Sequence, residues 1–331
     1  LIESLDKHVE DCKDVVLDLR FLKFSSDDEE QSLTDTSTNV KYLFKAFDDP
    51  RDADKTHALR QLCKLAGVPY AFFADNRPPV RESIVGNWLK SMAPEEGDEI
   101  LTLLKVREGQ GINVIRAILP VEYATVTNAN VLRCFCSYPT DTTVDLDSVV
   151  GTDRDELLFQ ARIFYDDALE GDEYYAGVVV TTSDLGSSDL IIDLYLMHKE
   201  SKSCMAAQYG GKPFAKVSFT GVQPAEILEI LNSVTARLKE EAPRYLQSLK
   251  DAEGSYPSVE RACVLISGKK GVPKKFKRSI HLEATECFED MATLKDFIRH
   301  AGIVAKDFGY SDRLKIERAV GSFGGLAYGK T

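Results

Sequence analysis

The sequence predicts a mixed α+β fold in which an antiparallel sheet from the middle of the chain is packed by a long helix, with helical N-terminal and C-terminal parts. Three observations carry that expectation. Between residues 100 and 220, β-branched and apolar residues come in short runs divided by Gly, Asp and Ser, the pattern of strands and turns. The connections between those runs are short, which favours sequential antiparallel pairing over parallel strands joined by crossover helices. From Ile227 the period changes, and Leu231, Val234, Leu238, Ala242, Tyr245 and Leu249 step by four and three along one helical face. The expected divisions are a helical and strand part at 1–98, the sheet with its long helix at 99–254, and a C-terminal part at 255–331 holding a strand, a basic loop and helices.

Taken in order, Leu1, Leu5, Val9 and Cys12 fall at helical spacing. Val15 to Phe24 then alternates, with Val15, Leu17, Leu19 and Phe21 on one face of a strand. The acidic, polar run from Ser25 to Thr38 reads as a solvated loop. Leu59, Leu62, Cys63 and Ala66 mark a helix over 54–66 that Gly67 and Pro69 stop. Pro78 and Pro79 open the next helix at its first turn, and Val80, Ile84 and Trp88 set its inward face. Runs at 100–107 and 112–119 flank Glu108-Gly109-Gln110-Gly111, a hairpin signal because glycine adopts positive φ without strain. Further strands are expected at 157–164, 174–182, 190–198 and 213–220. The helix from Pro224 to Leu249 lies across them, kinked or restarted at Pro243. Beyond it the reading is a strand at Ala262 to Ser267, a basic segment, a helix around 288–301, a shorter one around 311–320 and a glycine-rich end.

Composition narrows the function. With 44% hydrophobic and 28% charged residues the chain has the balance of a folded protein, and its net charge of -12 argues against coating duplex DNA through a general cationic surface. Seven scattered cysteines give no disulfide framework and fit a reducing compartment. No run approaches the roughly 20 apolar residues of a bilayer span, so the expectation is a cytoplasmic protein without a membrane partner. His8, His57, His198, His281 and His300 are isolated from any hydrolase or metalloprotease signature. Cys134 and Cys136 are separated by one residue where zinc sites use two to four, and they read as strand cysteines. Asp166, Asp167, Glu170 and Asp172 fall in a turn. No catalytic residue, metal or other cofactor is therefore expected.

Three features touch phosphate chemistry. Gly324 to Thr331 satisfies the phosphate-loop pattern letter for letter, but that loop needs a strand leading into it, and polar residues stand there instead; the segment reads as a flexible tail. Gly268-Lys269-Lys270-Gly271 matches the G-x-x-G loop that clamps a single-stranded backbone in KH domains, where it joins two helices. Here Val264-Leu265-Ile266 reads as a strand before it and Pro273 follows it, so the setting speaks against that loop. The local charge is the stronger signal. Lys269, Lys270, Lys274, Lys275, Lys277 and Arg278 lie within ten residues and no acid interrupts them. With Phe276, read as able to stack on a base, they form the candidate nucleic-acid-binding strip.

Two stretches carry a family resemblance. The first is Leu59-Arg60-Gln61-Leu62-Cys63-Lys64-Leu65-Ala66-Gly67-Val68-Pro69, followed by Asn87-Trp88-Leu89, by Ile115-Arg116-Ala117-Ile118-Leu119-Pro120 with Tyr123, and by Thr127-Asn128 before Val131-Leu132. The second is Gly171-Asp172, Gly177-Val178-Val179-Val180 and Ser183-Asp184-Leu185-Gly186. Together they resemble an uncharacterised family carried by phages, plasmids and integrative elements, over roughly residues 55 to 220. Thr182 and Asp184 depart from its usual Asn and Glu, and His198 to Cys204 stands where a Cys-Asn pair is usual. The resemblance implies a mobile-element setting in a bacterial host and brings no activity with it. Successive antiparallel strands followed by a long helix are also similar to the β-β-β-α core of single-strand annealing proteins. The expectation is an accessory protein of DNA metabolism that binds single-stranded nucleic acid and assembles as a homo-oligomer. The alternative is a virion assembly or counter-defence protein that binds a phage or host protein and no nucleic acid.

Overall fold

The computed structural model shows the α+β class and divides the strands between two sheets. It describes residues 3, 5–6, 10–27, 30–44, 56–92, 99–109, 111–136, 144–145, 149–150, 158–165, 173–207, 212–251, 259–286 and 294–328. The first sheet contains β1 (Cys12–Asp18), β2 (Leu22–Ser26), β3 (Gln31–Asp35), β4 (Val40–Leu43), β5 (Leu101–Gly109) and β6 (Ile112–Pro120), in the spatial order β1-β5-β6-β4-β3-β2. Its pairs are antiparallel except β4 with β6, which run parallel at Tyr42 beside Asn113. The β5–β6 hairpin turns where expected, with Gly111 at φ 78. It does not continue the middle sheet, however. Leu104, Val106, Ile115 and Ile118 share a core with Leu17, Phe24 and Leu33 of the N-terminal strands, and local alternation carries no information about which strands a hairpin will pair with.

Two N-terminal readings need correction. The run from Val15 to Phe24 is two strands broken by a 3-10 turn at Leu19–Phe21, because the Asp18 carboxylate accepts from the Arg20 backbone N–H and binds its guanidinium, turning Phe21 outward. Ser25 to Thr38 is no solvated loop: β2 runs through Ser26, and β3 occupies Gln31–Asp35 with Gln31, Ser32 and Asp35 buried. Leu33 is the single large apolar residue in β3, so hydrophobic alternation had nothing to detect. Of the expected first helix, Leu1 and Val9 lie outside the described residues, and Cys12 opens β1.

Three helices cover this sheet: α1 (His57–Leu65), α2 (Tyr70–Asp75) and α3 (Pro78–Ser91). Leu59, Leu62 and Cys63 are buried as their spacing predicts, and Gly67 takes φ 69 past the end of α1. Pro78 and Pro79 do open α3, but its inward residues are Val85 and Leu89, one position on from the expected face; Val80 is 41% exposed and Trp88 half-buried.

After α4 (Asn128–Cys136) comes the second sheet, built from β7 (Val144–Asp145), β8 (Val149–Val150), β9 (Phe159–Tyr165), β10 (Tyr174–Thr182), β11 (Leu190–His198), β12 (Cys204–Ala206) and β13 (Ala215–Val217). Its order is β12-β11-β10-β9-β7, with β13 beside β11 and β8 beside β9, antiparallel throughout. Cys134 and Cys136 sit on α4, a helix and not a strand. On one face, Val178, Val180, Ile192 and Leu194 pack against α5 (Pro224–Asp251), whose Ile227, Leu231, Val234 and Leu238 are all buried. That helix is the one the period predicts, and it passes Pro243 without restarting.

Four helices follow: α6 (Val259–Gly268), α7 (Lys274–Glu286), α8 (Leu294–Ala305) and α9 (Tyr310–Tyr328). The strand expected at Ala262 to Ser267 is thus helical. Ala262, Cys263 and Ile266 face the core while Val264 and Leu265 are exposed, a helical division that a three-residue β-branched and apolar run conceals. Helix α9 continues through Gly324 and Gly325 to Tyr328, so that part of the phosphate-loop pattern is helix and not tail, and residues 329–331 lie outside the described residues. The acidic turn residues 166, 167, 170 and 172 lie outside them too.

The two sheets meet at the β10–β11 turn. Leu185 is buried with Leu103, Ala117 and Leu119 of the first sheet, and its carbonyl accepts from Gln61 Nε2 at 2.9 Å. Tyr123 donates to the Ser183 carbonyl at 2.8 Å, and Arg116 lies 3.7 Å from the Asp184 carboxylate. Among the described residues no helix is long and apolar enough to cross a membrane.

Candidate nucleic-acid interface

Helix α6 ends at Gly268, the chain turns through Lys269, Lys270 and Gly271, and α7 begins after Pro273. Gly271 takes φ 84, a conformation that favours glycine. Val272 and Phe276 anchor the turn from below, the Phe276 ring 5.7 Å from that of Phe308. From the side, Lys277 Nζ donates to the Ser267 carbonyl at 2.6 Å and the Lys269 carbonyl at 2.8 Å, satisfying groups that the end of α6 leaves open. Lys277→Gln is therefore expected to lower stability by about 1 kcal/mol in urea unfolding, which a purely solvated lysine would not do.

The G-x-x-G sequence accordingly joins two helices, which removes the objection that a strand precedes it. The likeness to a KH loop stops at the loop, since among the described residues the neighbouring elements are helices α5 and α8.

This turn forms one wall of a cavity of about 520 Å³. Ile191 and Asp193 of β11, Pro213 and Lys216 around β13, and Lys315, Arg318, Ala319 and Ser322 of α9 complete it. Five cationic residues, Lys216, Lys269, Lys270, Lys315 and Arg318, thus line one cavity with a single acidic one, Asp193. That carboxylate is buried and engaged by Arg318 Nε at 2.8 Å. Lys216 rests 3.0 Å from Asp189 and Lys315 3.0 Å from Asp312; both pairs are solvent-exposed, and such pairs are worth about 1 kcal/mol or less, so neither carboxylate holds its lysine tightly.

The strip read from the sequence divides here. Lys269 and Lys270 line the cavity, whereas Lys274, Lys275 and Arg278 point outward from α7 and do not, Lys275 lying over the Phe308 ring at 5.8 Å. Phe276 is 0% exposed, so it is a core residue and not a stacking platform. A run of ten residues looks continuous as text, but a helix turns its members to different sides. Lys216, Lys315 and Arg318 lie far from the turn in the sequence, and only the fold brings them to it.

Beneath the cavity lies a layer of buried charge on the second face of the sheet. Arg162, Val179 and Asp193 form one row across β9, β10 and β11. Arg162 binds Glu317 Oε2 of α9 at 2.6 Å, and both side chains are wholly buried. Arg313 Nε reaches Glu317 Oε1 at 2.9 Å. Burial raises the Glu317 carboxyl above its ordinary range while Arg162 and Arg313 pull it back, and burial holds the Tyr195 phenol well above its ordinary value. These bonds fix where α9 lies, and so where Lys315 and Arg318 project. Among the described residues no three or more His, Cys, Asp or Glu side chains are grouped to hold a metal ion. No protein-family model, curated protein or solved structure matches the chain.

Proposed function

We propose that the cleft binds the phosphate backbone of a single-stranded nucleic acid, in an accessory role in DNA metabolism of the annealing or recombination type. The observation that carries this reading is convergence: five cations from β13, the α6–α7 turn and α9 face one cavity in a chain whose net charge is -12. Long-range repulsion then confines phosphate to the place where cations meet at short range, within about 8 to 10 Å. A duplex presents one charge per about 1.7 Å, twice the density of a single strand, to a protein that repels it everywhere else. The mobile-element resemblance supports the setting. The protein-partner alternative has an observation of its own, since Val264 is 66% and Leu282 60% exposed on α6 and α7.

Anisotropy titrations of single-stranded DNA, duplex DNA and RNA across a salt series separate these readings. Affinity for single strands is expected to fall with salt at a slope of roughly -0.7 per phosphate neutralised. Replacing Lys216, Lys269, Lys270 and Lys315 by Gln should flatten that slope by up to about three units at 0.7 each, whereas replacing Lys274, Lys275 and Arg278 should change it less. Absence of single-strand binding by the unaltered protein at low salt would return the case to a protein partner.

A further inference from the structure

The cleft does not end at Lys216. Ile191 lines it and also a second cavity of about 370 Å³, and the Lys216–Asp189 pair stands between the two. The second cavity differs in kind. Its walls carry the hydroxyl residues Ser187, Ser188, Ser218 and Thr220, the carboxylate of Asp189 and the ring of Tyr123, and no lysine or arginine lines it. A groove that is cationic in one half and, apart from Asp189, uncharged and hydrogen-bonding in the other repeats the division of a nucleotide into phosphate and base.

We propose that the second cavity holds one unstacked base of the strand whose phosphate lies in the basic cleft, and that Asp189 selects bases carrying an amino group. The inference rests on the proposed binding of phosphate in the cleft. When that phosphate takes Lys216, the Asp189 carboxylate loses its 3.0 Å partner and becomes an acceptor facing the base. Carboxylates accept from exocyclic amino groups such as cytosine N4, whereas thymine offers a carbonyl at that position and leaves the carboxylate facing another acceptor. Ile191 and Tyr123 give the base its apolar wall, and the serine and threonine hydroxyls meet its remaining edge, Ser188 as an acceptor because it already donates to the Asp189 carbonyl at 2.8 Å. Phosphate capture and base selection are thereby coupled through one exposed ion pair.

Competition titrations with twelve-nucleotide oligo(dC), oligo(dT) and a base-free sugar-phosphate oligomer of equal length test this on the full chain. Oligo(dC) is expected to bind roughly tenfold tighter than oligo(dT), and the base-free oligomer more weakly than oligo(dC). Asp189→Asn should abolish the preference for oligo(dC) over oligo(dT) and leave the salt slope within one unit, because the cleft lysines remain. Ser187→Leu, at an exposed position, should remove the same preference by filling the cavity, and circular dichroism confirms that either variant is folded. Equal affinity for all three oligomers with a steep salt slope would overturn the base cavity while sparing the cleft. Loss of all binding by the unaltered protein would overturn both.

Discussion

Glu317→Ala is expected to destabilise the protein by about 3 to 5 kcal/mol, seen as a lower urea midpoint at unchanged slope. The Arg162 guanidinium is wholly buried against the Glu317 carboxylate, and an arginine cannot escape by losing its proton. Removing Glu317 therefore leaves a charge in the sheet's second face with its nearest counter-charge gone. The reverse change, Arg162→Met, should cost less, because a buried carboxyl can take up a proton and Arg313 stays within 2.9 Å of it. Paired replacement by Arg162→Met and Glu317→Leu should recover most of the loss or exceed the original stability. The pH dependence has a definite sign. A carboxyl raised by burial binds its proton more tightly folded than unfolded, so its contribution is full below the ordinary carboxyl range and is lost as pH rises through the raised value. Arg162→Met removes the strongest lowering influence on Glu317 and should steepen that decline.

Gly321→Ala should cost about 3 kcal/mol, although alanine is the better helix former by about 1 kcal/mol. A methyl group there would lie 1.6 Å from the Ala206 carbonyl oxygen of β12, so α9 must move off the sheet. Lys315 and Arg318 ride on the same helix, and the proposed single-strand binding should weaken with the loss of stability even though Gly321 lines neither cavity. Gly86→Ala is the control. It lies within α3 with nothing inside 4 Å of the new methyl, and there the same change should raise the unfolding midpoint.

How much of this could be read from residues alone depends on how local each cause is. The limits of β10 and β11 and the buried stripe of α5 follow from period and turn chemistry, which act within a few residues. Strand β3 escaped because its buried side chains are polar and held by hydrogen bonds such as those from Ser37 and Thr38 to Asp35. Helix α6 escaped because Val264-Leu265-Ile266 satisfies both strand and helix preferences over so short a run. At the candidate site, local charge density drew attention to Lys269 and Lys270, which line the cavity. It also drew in Phe276, which the helical turn of α7 buries, and gave Lys277 no hint of its carbonyl partners. Lys216, Lys315 and Arg318 have no local signature, since their convergence is a property of sheet order and of where α9 docks.

The long sequence separation of the charged layer sets a timetable for biosynthesis. Arg162 and Glu317 are 155 residues apart, and Asp193 and Arg318 are 125 apart. At roughly 5 to 20 residues per second, a ribosome that has finished β13 needs about 5 to 20 seconds more to deliver α9. Throughout that interval Phe164, Val179 and Tyr195 lack Leu314, their cover from α9, and Arg162 must keep its water. The nascent sheet is then at its stickiest and a fitting client for a holding chaperone. Because the same helix brings Lys315 and Arg318, a chain stalled before residue 310 would be prone to aggregate and would lack two of the five cations, so the lining of the basic cavity is completed last.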